Sequence, residues 1–481
     1  MPRRTKIVAT LGPATDAPDV LNRLIETGVD VVRLNFSHGK HETHFQRAKQ
    51  ALAAALACGR SLGVLVDLQG PKIRIGKFKT GGTLLQHGAR FTLDADMDLN
   101  EGTDNSVGLT YKQLTRDVTP GTALLLDDGR IMLRVEDVKG QKIVCYVING
   151  GELSDNKGIN RQGGGLSAAA LTDKDREDIK AAAQIGADYL AVSFPRSAAD
   201  IIEARELLRA AGGKGGIVAK IERAEAVDNI EDILRVSEAV MIARGDLGVE
   251  IGDAAVPPVQ KRIIKLARQM NRVTITATQM MESMIESPIP TRAEVSDDAN
   301  AVLDGTDAVM LSAETASGAH PIEAVAAMDR VCRVAEQQYE ATHGTIRDDA
   351  FQRVDEAVGN AVMYVGNHLP VRAIAALTES GSTTLWMSRI SSALPIYALT
   401  PREDTQRKLT LYRGVYPVRF ETRSTDPNMV LKDAVKLLRY RGAVGDDDFV
   451  ILTIGEPLAK PGGTNTMKIV NVRDVKNEIG F

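Results

Sequence analysis

Cysteine and histidine are scarce: the 481 residues include three of the first and seven of the second. Cys58, Cys145 and Cys332 are odd in number, far apart and without a C-x-x-C spacing. That argues against a disulfide framework or a thiolate zinc site and suits a reducing compartment. Only His38 among the histidines lies beside a polar cluster at a strand end, so no nucleophile and base pair of the kind used in covalent hydrolysis stands out. Long apolar runs are missing too. The opening MPRRTKIVATLGPATD loses its apolar character after a few positions, and nowhere do about 18 apolar residues follow one another. No membrane span is expected, and the cytoplasm is the expected location. No run of Lys or Arg is long enough to track a polyanion, and with a net charge of −4 the chain is not expected to bind nucleic acid.

What the chain has is repetition. With 43% apolar and 25% charged residues it can fill more than one core, so two or three domains are expected. Eight apolar runs of strand length end in small polar or charged residues: KIVATLGPA, VDVVRLNFSHG, SLGVLVDLQG, ADYLAVSFP, GGIVAKIE, EAVMIARGDLG, VTITATQM and DAVMLSAET. Helix-spaced segments such as VLNRLIETG and VPPVQKRIIKLARQMN lie between them. Strands apolar on both faces that alternate with helices predict a buried parallel sheet, and eight of them predict closure into a (β/α)8 TIM barrel. Between the third and fourth runs, where a short loop would suffice, stand ARFTLDAD, TALLLDDGRIMLRVEDV and QKIVCYVING, alternating segments with a DDG hairpin signal. They predict a small inserted β-barrel domain able to act as a lid. Farther on, VRAIAALTESGSTT, LPIYALTPRED, GVYPVRFE and DDFVILTIGEP predict an open, largely parallel α/β sheet. The expected limits are 1–72 and 167–340 for the barrel, 73–166 for the insert and 341–481 for the C-terminal domain.

In such barrels the active site forms at the carboxyl ends of the strands, where this chain places Arg33, Asn35, Ser37, Asp67, Ser193, Lys220, Glu222, Arg244, Asp246, Thr278, Gln279, Ser312 and Glu314. Lys220 and Glu222 are two apart and share a side of their strand. Alone, such a pair is ordinarily a solvated ion pair. Beside Asp246 of the next strand it becomes a candidate site for Mg²⁺ or Mn²⁺, which keep waters and take further ligands from substrate. Lys220 could then offset charge on a phosphoryl group in flight. The glycines around Asp246 free backbone N–H groups for an anion, the plain alternative being a tight turn. Arg33 and Arg74 could clamp a carboxylate or phosphate, although isolated arginines more often form surface ion pairs. Thr278 and Ser312 suit proton relay or water orientation, or else helix capping. Thr378, Ser380, Gly381, Ser382 and Thr383, before the helix-like LWMSRISS, offer either a phosphate loop or an ordinary N-capped turn.

Taken together, TKIVATLGPA, RLNFSHG, GPKIR, AKIE, ARGDLGVE, TATQMMESM, PTRAEVSDDANAVLDGTDAVMLSAET and TNTM resemble the pyruvate kinase family in order and spacing over nearly the whole chain. The resemblance implies the barrel, the lid and a C-terminal regulatory α/β domain, in a bacterial-length form without an N-terminal extension. It implies phosphoryl transfer from phosphoenolpyruvate to ADP and protonation of the enolate to pyruvate, the last step of glycolysis. By motif, Glu222 and Asp246 would bind the divalent metal, and Lys220 would stabilise the transferring phosphoryl. Gly245 and Asp246 N–H groups with Thr278 would hold the substrate carboxylate. Thr278 would relay the proton, with Ser312 through water. Arg33, His38 and Lys157 would reach nucleotide or phosphoryl groups, with Asn35 and Arg74 beside them. A homotetramer is also implied.

Departures from the family pattern add expectations. Potassium in much of the family is surrounded by Asn35, Ser37, Asp67 and a threonine; here that last position is Leu68, and Lys72 stands where glutamate is usual. A fixed ammonium at Lys72 in place of the mobile cation implies that K⁺ is not required. Ser317 replaces a nucleotide-contacting lysine, which puts the strength of ADP binding in question. Glu379 stands where a lysine often favours a bisphosphate, so a sugar monophosphate or AMP is the expected activator. Two other readings compete. A metal-dependent pyruvate-enolate aldolase would have no use for the lid and Lys157, and a non-catalytic sugar-phosphate sensor would tolerate loss of Lys220, Glu222 or Asp246, all of which are present.

Overall fold

Eight parallel strands close into a barrel: Lys6–Thr10, Val31–Asn35, Gly63–Asp67, Tyr189–Val192, Gly216–Ile221, Ala239–Ala243, Val273–Ala277 and Ala308–Leu311, the eighth pairing with the first. The structure is a computed structural model and describes residues 2–340, 351–422, 424–457 and 462–477. All strand residues but Asn35 are buried, which is why the runs are apolar on both faces. Helices cover the outside, and local signals set their ends. Thr172 caps Asp173–Ile185 by accepting from the Asp175 N–H, and Gly186, at φ 70°, ends it in the left-handed conformation a side chain resists. In Val256–Gln269 the apolar face, Ile263, Ile264 and Ala267, is buried while Lys261, Arg262 and Lys265 face water.

At the amino ends of the strands, opposite the expected site, a regular collar holds the barrel. The residue just before each even-numbered strand is a carboxylate that accepts the N–H of an odd-numbered one: Asp30 from Ile7 at 2.9 Å, Asp188 from Val64 at 2.8 Å, Glu238 from Ile217 at 2.6 Å and Asp307 from Thr274 at 2.9 Å. Each meets an arginine: Arg3 at 3.0 Å, Arg407 at 3.0 Å, Arg205 at 2.8 Å and Arg389 at 2.8 Å respectively. Arg407 and Arg389 belong to the C-terminal region, which is thereby keyed into the third and seventh strands.

The segment between the third and fourth strands has a core of its own, including Phe91, Leu93, Val107, Leu133 and Cys145. Its strands form a six-stranded sheet and a two-stranded one, Gly82–Leu85 with Gly151–Ser154, so the expected small barrel is two ladders around one core rather than one closed ladder. Asp127 and Asp128 take φ 51° and 55° in the predicted hairpin between Ala123–Leu126 and Ile131–Lys139. The C-terminal sheet runs in the order Val415–Arg419, Ile396–Thr400, Val371–Leu377, Phe449–Gly455, Thr464–Asn471. Its last strand is antiparallel, an element the sequence pattern did not single out. The boundary expected at 341 lies outside the described residues. Among the described residues no helix is long and apolar enough to cross a membrane.

Candidate active site

Asp67 ends the third strand fully buried, and two cations from neighbouring strands converge on it. Arg33, from the second strand, brings Nε and Nη2 each to 2.7 Å of Oδ2, and Lys220, from the fifth, brings Nζ to 3.3 Å of Oδ1. Lys220 Nζ also donates to Ser193 Oγ at 2.7 Å and pairs with Glu222 at 2.9 Å. Burial works against both Asp67 and Lys220 in their charged forms. The opposite charges outweigh it: Lys220 and Arg33 hold the Asp67 carboxyl below the usual range, and Asp67 and Glu222 hold the Lys220 ammonium above its ordinary value. The network therefore favours the charged form of Lys220 and holds it in place. Glu222 accepts the Phe194 N–H at 2.9 Å; burial raises its pKa, Lys220 opposes that rise and Asp246 adds to it.

Asp246 sits in the first turn of the helix Arg244–Ile251, which follows the sixth strand directly. Two hard-oxygen carboxylates that follow adjacent strands, with Asp246 near enough to raise the Glu222 carboxyl, fit a divalent cation that draws its remaining ligands from substrate and water. Among the described residues no cluster of three or more His, Cys, Asp or Glu side chains could supply a full protein shell. Thr278, just past the seventh strand, accepts the Gly245 N–H at Oγ1, 2.9 Å away. Ser312 follows the eighth strand and donates its N–H to Glu314 at 2.6 Å.

The predicted residues are not all brought together. Lys72 lies against Gly158 of the lid and lines a narrow cleft with Asp246, Phe194, Arg223 and Asn160. The cations that Asp67 pairs with are Arg33 and Lys220, not Lys72. Asn35 Oδ1 accepts the Ser37 N–H at 3.1 Å, and Leu68 is buried. Arg74 donates to the Asn156 carbonyl at 2.8 Å, and Lys157 pairs with Asp127 at 2.7 Å, so both are engaged within the lid. The His38 carbonyl meets the His44 ring at 2.8 Å. Far from the mouth, Thr378 Oγ1 accepts the Gly381 N–H at 2.9 Å, Ser380 and Ser382 hydroxyls are 3.3 Å apart, and Thr383 meets Thr464 at 2.7 Å. Thr378, Ser382, Thr383 and Thr464 edge a cleft of about 350 Å³ that also holds Glu379, Glu421 and Thr422.

A family profile described as pyruvate kinase, barrel domain, matches residues 2–325, and one described as pyruvate kinase, alpha/beta domain, matches residues 356–470. The chain belongs to the pyruvate kinase family. Pyruvate kinase II of Salmonella typhimurium is 54% identical over 475 residues, covering 98% of this chain and 99% of its own. The pyruvate kinase of Haemophilus influenzae is 52% identical over 458 residues, covering 94% of this chain and 96% of its own. As a member of the family the chain is a phosphotransferase. The bond between Arg33 and Asp67 was not foreseen from the sequence. A signal existed, because Asn35 and Asp67 are register partners on adjacent strands and Arg33 stands two residues before Asn35.

Proposed function

We propose that this protein transfers the phosphoryl group of phosphoenolpyruvate to ADP, giving ATP and, after protonation of the enolate, pyruvate. The observation that carries this reading is the buried network of Arg33, Asp67, Lys220 and Glu222 at the carboxyl mouth of the barrel. Phosphoryl transfer asks the protein for little covalent chemistry and much fixed positive charge, and a lysine that burial cannot deprotonate supplies it. Glu222 and Asp246 would hold Mg²⁺ or Mn²⁺. When bound, the cation contributes positive charge to the phosphoryl and enolate oxygens.

The N–H groups of Gly245 and Asp246 open a helix and receive the substrate carboxylate, Thr278 Oγ1 yielding the Gly245 N–H to it. Thr278 then passes a proton to the enolate, with Ser312 through water. Arg33 steadies the phosphoryl group from the side of the second strand. Asn35, His38, Arg74 and Lys157 approach the nucleotide; Lys157 leaves Asp127 to do so as the lid closes. K⁺ is not required, since Leu68 offers no oxygen and Lys72 brings an ammonium to the mouth. In the C-terminal cleft no lysine or arginine lines the wall among the described residues, and Glu379 and Glu421 would repel a second phosphate. A sugar monophosphate or AMP is the activator this wall favours, acting in a cytoplasmic homotetramer.

Replacing Lys220 with methionine tests the assignment. The expected result is a fall in kcat of about 10³-fold or more with folding intact, because one preorganised charge at the transferring group is removed. Retention of full pyruvate formation by Lys220→Met would remove the network from the mechanism.

A further inference from the structure

The backbone just past the seventh strand is held in an unfavourable shape. Thr278 and Gln279 take φ 65° and 52°, consecutive left-handed conformations in residues with side chains, one of them β-branched. Arg244 holds them there. Its Nε and Nη2 reach the Thr278 carbonyl at 3.2 and 2.8 Å, and Nη2 also reaches the Gln279 carbonyl at 2.9 Å. Nη1 is anchored on Asp297 at 2.6 Å, and the side chain is buried. The Gly245 N–H, which the substrate carboxylate takes over in the proposed reaction, donates to Thr278 Oγ1 at 2.9 Å. The first residue of the helix after the sixth strand, Arg244, thus grips the backbone of the threonine through bonds that do not depend on the Gly245 N–H.

We infer that Arg244 is a positioning residue for the proton-delivering hydroxyl of Thr278: its planar guanidinium fixes the strained turn that aims Oγ1. Lysine, a point charge without a fork, cannot bond two successive carbonyls while staying on Asp297. The inference rests on the relay role proposed for Thr278.

The test is a double-mutant cycle of Arg244→Lys and Thr278→Ala, read by steady-state kcat for pyruvate formation and by exchange of pyruvate methyl protons with deuterated solvent in the presence of Mg²⁺. The exchange reports the proton step alone. Arg244→Lys is expected to lower both rates by about 100-fold, as a small misplacement of a reacting group does. In the Thr278→Ala background it is expected to cost no more than roughly twofold further, because its effect runs through the residue already removed. An equal factor in both backgrounds, or exchange left unchanged by Arg244→Lys, overturns the inference. Full exchange in Thr278→Ala alone instead overturns the role of Thr278. Thermal unfolding and Mn²⁺ titration are expected to be near wild type in Arg244→Lys; if that variant does not fold, Asp297→Asn, which frees one arm of the clamp at a half-exposed carboxylate, is expected to show the same non-additivity at smaller amplitude.

Discussion

In the proposed reaction, two single residues set whether a monovalent cation is needed. Leu68 offers no oxygen, Lys72 carries a fixed ammonium, and the nearby carboxylate, Asp67, is already paired with Arg33 and Lys220. Wild-type turnover is expected to be unchanged when KCl replaces tetramethylammonium chloride at constant ionic strength. The double variant Leu68→Thr with Lys72→Glu is expected to lose about 10²-fold without K⁺, the scale of one missing preorganised charge, and to regain activity with it. A large K⁺ response in the wild type would contradict this. At this scale the sequence was legible where chemistry is written in residue type: Lys220, Glu222, Asp246 and Thr278 all stand at strand ends around one mouth. What it could not disclose was partnership across strands. Arg33 reads as an isolated arginine until register sets it beside Asp67, and Arg244 reads as part of a turn until the left-handed backbone it holds is seen.

Among elements, the collar makes a prediction about pH. Burial pushes Asp188 up to about 6, outweighing Arg407 and the Val64 N–H. Its folded value lies above the unfolded one, so the folded state binds the proton more tightly. The stability this contributes is complete below about pH 4 and is lost as pH rises through about 6, on the order of 2–3 kcal/mol in all. The wild-type Tm minus that of Asp188→Asn is therefore expected to fall between pH 4 and 6.5 and level off above; a difference that grows with pH would refute it. A second test concerns Asp307 and Arg389, both about 1% exposed. Arg389→Met leaves a buried carboxylate without its cation and is expected to cost about 3–5 kcal/mol in urea unfolding, whereas removing exposed Arg235 is expected to cost less than about 1. Equal costs would show that the collar does not hold the C-terminal region. Strand periodicity predicted the barrel and the insert well. It did not reveal Thr464–Asn471, whose mixed exposure at a sheet edge breaks alternation, nor that the insert's strands split into two ladders.

For the whole molecule, the two clefts lie at opposite ends of the chain's architecture, and the collar arginines are the covalently distant links between them. Arg407 sits in the helix Glu403–Leu409, where Thr405 Oγ1 donates to the Glu379 carbonyl, between Thr378 and Ser380, at 2.7 Å; Asp188, on the other side of Arg407, bonds the strand that ends in Asp67. This chain of bonds is the route by which the activation proposed above would reach the active site. Glucose 6-phosphate is expected to lower the half-saturating phosphoenolpyruvate concentration more than fructose 1,6-bisphosphate does, and Arg407→Met to weaken that response; a stronger effect of the bisphosphate would count against the acidic wall of the cleft. For the homotetramer proposed above, sedimentation across micromolar concentrations is expected to give a tetramer mass, and a monomer mass would contradict it.

In the reaction proposed here, this mouth performs metal-assisted phosphoryl transfer from phosphoenolpyruvate with its own fixed cations. The most direct measurement is pyruvate formation from phosphoenolpyruvate and ADP with Mg²⁺, in the presence and absence of K⁺. Turnover is expected in both, abolished by chelation of the divalent ion. Absence of pyruvate under every condition would contradict the assigned reaction, and turnover that appears only with K⁺ would contradict the role given to Lys72.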